Sequence, residues 1–195
     1  IVHSYVDITV RSDSEPEFSI NSASFYIHIF HQTVSKKGKT VCVSTVEDLK
    51  NVSQFDTVEL CSNIDFEGSD FEKIGRFSGV FNGNGYTLSN LSEPLFNRFT
   101  GSIKNLNIDE FCIPKYARAG CIAKYSVGGQ LENITVVKSK RSTAERRVIG
   151  LLFDLQDGMI QDCSVKLQFD SNVIYGFSVI IENSTIRNCE ADLDI

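Results

Sequence analysis

Three variable segments, Asp109 to Gly120, Lys138 to Ile149 and Gln168 to Gly176, read as loops, and two of them carry groups of basic residues. The first is Lys115, Tyr116 and Arg118; the second is Lys138, Lys140, Arg141, Arg146 and Arg147. Guanidinium and ammonium groups gathered on loops are hydrogen-bond donors suited to an anionic partner. On a chain of formal net charge -6 they form a local field of opposite sign, which would attract an anionic glycan or an acidic protein partner. Lys and Arg also keep loops hydrated, and that is the plainer reading of both groups. No other local binding signal stands out in the sequence.

Other chemistry finds less support. Enzymatic cleavage of a polysaccharide needs clustered carboxylates, or Asp with Arg and Lys, on one surface for acid and base work. Here the acidic residues scatter, and no paired carboxylate recurs on neighbouring segments. No Ser-His-Asp, Cys-His or phosphate-loop pattern occurs, and Gly83-Asn84-Gly85 reads as a turn. His28 and His31 would point to opposite faces of a strand. The cysteines Cys42, Cys61, Cys112, Cys121, Cys163 and Cys189 include no C-x-x-C. The expectation is a chain with no catalytic residues, no metal and no cofactor. The acidic balance argues against nucleic acid as the main partner, and no run approaches the roughly 20 apolar residues that would span a bilayer.

Cys112 and Cys121 bracket a loop whose ends could meet, which makes them the candidate disulfide if the compartment is oxidising. Cys163 and Cys189 hold one place in successive repeats, so stacked thiols are expected there rather than a bond. Sequons lie at Asn51, Asn90, Asn133 and Asn183.

The elements that position these residues come from a repeat. After Gly101 runs Ile103-Lys104-Asn105-Leu106-Asn107-Ile108. The order returns after Gly129 as Leu131-Glu132-Asn133-Ile134, after Gly158 as Ile160-Gln161-Asp162-Cys163, and after Ser184 as Ile186-Arg187-Asn188-Cys189. The leads Ile103, Leu131, Ile160 and Ile186 lie about 28, 29 and 26 residues apart, a solenoid period. The apolar runs at Leu95, Ile122, Leu151 and Phe177 keep nearly the same steps. Each unit supplies short period-2 strands with no 3.6 periodicity, and so small a unit buries its apolar face only by stacking on copies of itself. Asn105, Asn133, Asp162 and Asn188 share one position, where a short amide or carboxylate can hold a tight bend and bond its neighbours. That column is read as structural.

Phe77 to Leu88 (FSGVFNGNGYTL) and the recurrent "glycine, apolar, x, Asn or Asp" turns resemble GLUG-type β-helix repeats, over roughly residues 41–191. Leu95-Phe96, Cys121-Ile122, Gly150-Leu151-Leu152-Phe153 and Gly176-Phe177 are degenerate forms of the preceding Gly-Leu-Phe-Gly element. Such repeats occur in bacterial adhesins and in non-catalytic parts of large secreted surface proteins, and they bring no catalytic residues. The resemblance implies right-handed winding.

The fold class expected is all-β: a right-handed parallel β-helix (solenoid) of about five rungs with a short helical or strand N-terminal cap. Residues 1–40 are read as a strand-rich cap or junction and 41–195 as the repeats. A capping box at Ser44 to Leu49 starts a short helix over about 45–52. The function expected is that of a non-catalytic structural or adhesive segment of an extracellular or cell-surface protein. The alternatives are a module binding a glycan or a host protein through the basic loops, and a non-catalytic domain of a larger surface enzyme. Flanking domains or end-to-end self-association are the further partners expected.

Overall fold

The computed structural model describes residues 38–112, 118–138, 148–168 and 174–194. All of them belong to the unit that covers 36–195. The segment read as an N-terminal cap therefore lies outside the described residues except for its last three.

Within this unit the chain winds as a parallel β-solenoid of about five turns. Three faces share the winding. The first stacks Thr40–Val43, Thr57–Leu60, Val80–Asn82, the start of Ser102–Phe111, the start of Gln130–Lys138, Met159–Gln161 and Thr185–Arg187. Its apolar register runs Val41, Val58, Phe81, Ile103, Leu131, Ile160, Ile186. The four repeat leads found in the sequence are therefore direct neighbours. The second face stacks Ile64–Asp65, Thr87–Leu91, the ends of the two long strands, Ser164–Gln168 and Glu190–Asp194. The third stacks Ile74–Phe77, Phe96–Phe99, Ala123–Val127, Leu152–Gln156 and Ile180–Glu182. Val148–Ile149 and Ile174–Tyr175 form a short parallel pair in the connection between the second and third faces.

Parallel pairing puts like positions of successive turns on top of one another, so the core forms as columns. Phe66, Phe77, Phe81, Phe96 and Phe99 fill it and are almost wholly buried. Phe77 stacks on Phe96 with ring centroids 5.0 Å apart, and Phe81 meets Phe96 edge-on at 6.0 Å. The helix is shorter than the sequence suggested. It covers Val46–Leu49, with Thr45 as N-cap and a reciprocal capping box to Asp48, and a 3-10 turn follows at Val52–Gln54. Backbone hydrogen bonds from Ser44 and Thr45, together with the Thr45 hydroxyl, hold the Asp48 carboxyl below its ordinary range. Leu49 and Val52 are buried, and Val46 is partly buried against the same core.

The repeat predicts turns at the glycines before the first-face strands. Gly101 does more than turn. A Cβ there would lie 2.0 Å from the Gly79 carbonyl oxygen of the turn beneath, so this corner is closed too tightly for any side chain. In later turns the same corner carries one extra residue in the left-handed region: Gly128, Asp157 and Asn183.

Candidate functional site

The bend between the first and second faces carries the column predicted from the repeat. Asn105, Asn133, Asp162 and Asn188 have φ of 53°, 52°, 53° and 51°. L-residues rarely tolerate this conformation, and Asn and Asp tolerate it best because a short polar side chain can bond locally. The amides also bond one another: Asn133 Nδ2 donates to Asn105 Oδ1 at 2.9 Å, and Asn105 Nδ2 donates to Asn82 Oδ1 at 3.2 Å. Asn84, also left-handed at φ 50°, donates through Nδ2 to the Leu60 carbonyl at 2.9 Å. Above them the pattern changes, with Gln161 Nε2 donating to Asp162 Oδ2 and Arg187 Nε donating to Gln161 Oε1 at 2.9 Å. The inner asparagines spend their hydrogen-bonding capacity on the bend and on each other. Asn105→Ala is therefore expected to cost about 2–3 kcal/mol in urea denaturation, from left-handed strain plus lost amide bonds. Asn105→Gly, which removes the strain, should cost about 1 kcal/mol. Equal losses in the two variants would remove backbone conformation from the explanation.

Of the basic residues, Lys115, Tyr116, Lys140, Arg141, Arg146 and Arg147 lie outside the described residues. Arg118 is exposed and left-handed at φ 46°. Lys138 is not a loop residue but the last residue of Gln130–Lys138, and it is 3% exposed. The inward alternation of Ile134 and Val136 simply continues to position 138, as period 2 requires. Its ammonium donates to the Phe111 carbonyl and lies 5.3 Å from the centre of the Phe111 ring. Similarly, Asp109 to Phe111 and Val148 to Ile149 are strand residues, so the variable loops are shorter than the sequence suggested.

The cysteines also differ. The disulfide joins Cys42 to Cys61, whose Cα atoms are 5.8 Å apart, and not Cys112 to Cys121. Cys121 is turned into the core, whereas Cys112 is exposed at the end of its strand. Cys163 and Cys189 stack as expected without a bond, the Cys163 N–H donating to Cys189 Sγ at 3.5 Å. Burial pushes the Cys121 thiol upward and pushes Cys163 up to about 12, so neither serves as a nucleophile near neutral pH. Both should take up iodoacetamide only after denaturation. Rapid native labelling at either position, read by peptide mass, would contradict their burial.

One constellation escaped the sequence reading. On the outside of the third face Arg76, Arg98, Tyr125 and Asp154 occupy one register column on successive strands. Lys124 stands beside Tyr125, its ammonium 5.0 Å from the ring centre, and the Arg98 guanidinium lies 6.0 Å from the same ring. The available signal was the recurrence of Arg-Phe in Ile74-Gly75-Arg76-Phe77 and Phe96-Asn97-Arg98-Phe99. Among the described residues no group of three or more His, Cys, Asp or Glu is arranged to hold a metal. No helix among them is long and apolar enough to cross a membrane.

Comparison with protein-family models, with curated proteins and with solved structures finds no match to this chain.

Proposed function

We propose that this chain is a non-catalytic β-solenoid segment of a secreted or cell-surface protein, acting as a stiff support of the kind GLUG-like repeats build. The observation that carries this reading is the interlocked corner. Asn82, Asn105 and Asn133 bond along the winding axis, so the polar side chains of that edge tie successive turns together. The Cys42–Cys61 disulfide supports the location, because such bonds persist in oxidising compartments. It closes a span of 19 residues, so its reduction is expected to lower stability by about 2–3 kcal/mol. Urea curves with and without reductant measure that loss.

The reading is tested in the source cells by intact-cell antibody staining and by counting thiols in the extracted protein. Staining without permeabilisation, with Cys42 and Cys61 blocked to alkylation until reduction, is expected. A protein reached only after permeabilisation, with both thiols open, would sink the surface assignment.

A further inference from the structure

We infer that the outer third face carries a binding strip for an anionic polysaccharide, formed by Arg76, Arg98, Lys124 and Tyr125. Arg76 and Arg98 are register partners on adjacent parallel strands, which lie about 4.8 Å apart. Like charges side by side on one sheet face repel, and a fold gains nothing by placing them there. Both arginines are exposed, and no described acidic side chain pairs with Arg76, Arg98 or Lys124. Of the nearby acidic groups, Glu93 is bonded to Lys73 at 3.1 Å, and Asp154 bounds the column one strand beyond Tyr125. The result is a row of cations beside a half-exposed tyrosine ring, on a chain that is acidic as a whole.

The chemistry selects the occupant. Acidic groups repeated along a sugar chain would be met by the arginines and lysine through charge-assisted hydrogen bonds, while Tyr125 offers an apolar ring to a pyranose face. Nucleic acid is disfavoured because its continuous phosphate charge calls for a broader basic surface. An acidic peptide is disfavoured because Phe96–Phe99 and Ala123–Val127, which carry Arg98, Lys124 and Tyr125, are hydrogen-bonded on both sides and offer no edge for strand addition, while the end strand Ile74–Phe77 packs against the 3-10 turn at Val52–Gln54. This strip is separate from the basic loops. It deepens the surface-protein reading and rests on it for where such a glycan would be met, but its own test needs only the purified chain.

That test measures binding of the full chain to a heparin-derived oligosaccharide, an oligogalacturonate, neutral dextran, poly-L-glutamate and oligo-dT. Binding is expected to one or both acidic oligosaccharides, to weaken as salt rises, and to be absent with dextran. Which of the two binds separates sulfate from carboxylate recognition. Arg76→Gln with Arg98→Gln should weaken binding about tenfold or more while leaving the melting temperature unchanged or slightly raised, since repulsion is relieved. Tyr125→Leu should weaken the oligosaccharide selectively. Lys124→Gln supplies a second charge variant if the arginine pair fails to fold. Unchanged affinity in a folded charge variant overturns the strip. Binding of poly-L-glutamate or oligo-dT as tightly as any oligosaccharide, indifferent to Tyr125→Leu, overturns the glycan assignment. No binding to any probe overturns the inference and leaves the support function standing.

Discussion

Phe96→Ala is expected to destabilise the solenoid by about 4 kcal/mol, the middle of the range for emptying a buried phenylalanine site. Phe96 is fully buried, stacks between Phe77 and Phe99, and meets Phe81 edge-on. Truncation would remove ring contacts within its own turn, to Phe81 and Phe99, and to Phe77 of the preceding turn. The cavity cannot easily collapse, because the backbone around it is fixed by parallel hydrogen bonds to both neighbouring strands. In a fold held by nearest-neighbour interfaces, damage at one interior rung weakens two interfaces. The measurement is a urea midpoint at unchanged slope, with Tyr86→Ala, on an exposed ring, as the control within about 0.5 kcal/mol. A loss below about 1 kcal/mol for Phe96→Ala would mean that the aromatic column does not hold the turns together.

Gly101→Ala should cost about 3–4 kcal/mol, large for adding one methyl group. The added Cβ would sit 2.0 Å from the Gly79 carbonyl oxygen and 2.8 Å from the Ser78 carbonyl carbon. Both are backbone atoms, so no flexible side chain can yield. Relief requires separating two turns, which stretches the hydrogen bond from Ser102 N–H to the Gly79 carbonyl, now 3.0 Å. Gly75→Ala provides the contrast, since nothing lies within 4 Å of its Cβ position. That variant should change stability by less than about 0.5 kcal/mol. Similar urea midpoints for the two variants would show that corner closeness is not why glycine is required at 101.

How far the sequence could be read depended on whether a signal was carried by period or by distance across turns. Ile103, Leu131, Ile160 and Ile186 recur at nearly equal steps, and they stack as the repeat implied. Asn105 and its equivalents were legible for the same reason. Val41, Val58 and Phe81 extend the same column but were not joined to it, because their turns take 17, 23 and 22 residues. The short connections that remove those residues leave no trace in local residue types. Register explains the disulfide as well. Cys42 pairs with Glu59, which brings Cys61 alongside only because the first turn is so short. Lys138 looked like loop because its charge outweighed its parity, and Arg76 with Arg98 looked unremarkable because a pair separated by 22 residues becomes adjacent only after winding. The basic loops themselves lie largely outside the described residues.

The register that ignores turn length has a consequence for how such a chain can diversify. Connections between the second and third faces differ in length from turn to turn, yet Arg76, Arg98, Tyr125 and Asp154 still fall in one line. The outer wall thus behaves as ruled paper: each turn contributes one line, and a substitution writes a character at a fixed height without moving the others. Insertions change the margin and leave the ruling intact. Two kinds of variation are thereby uncoupled within one polypeptide, and the side chains of the wall can change while the loops are replaced.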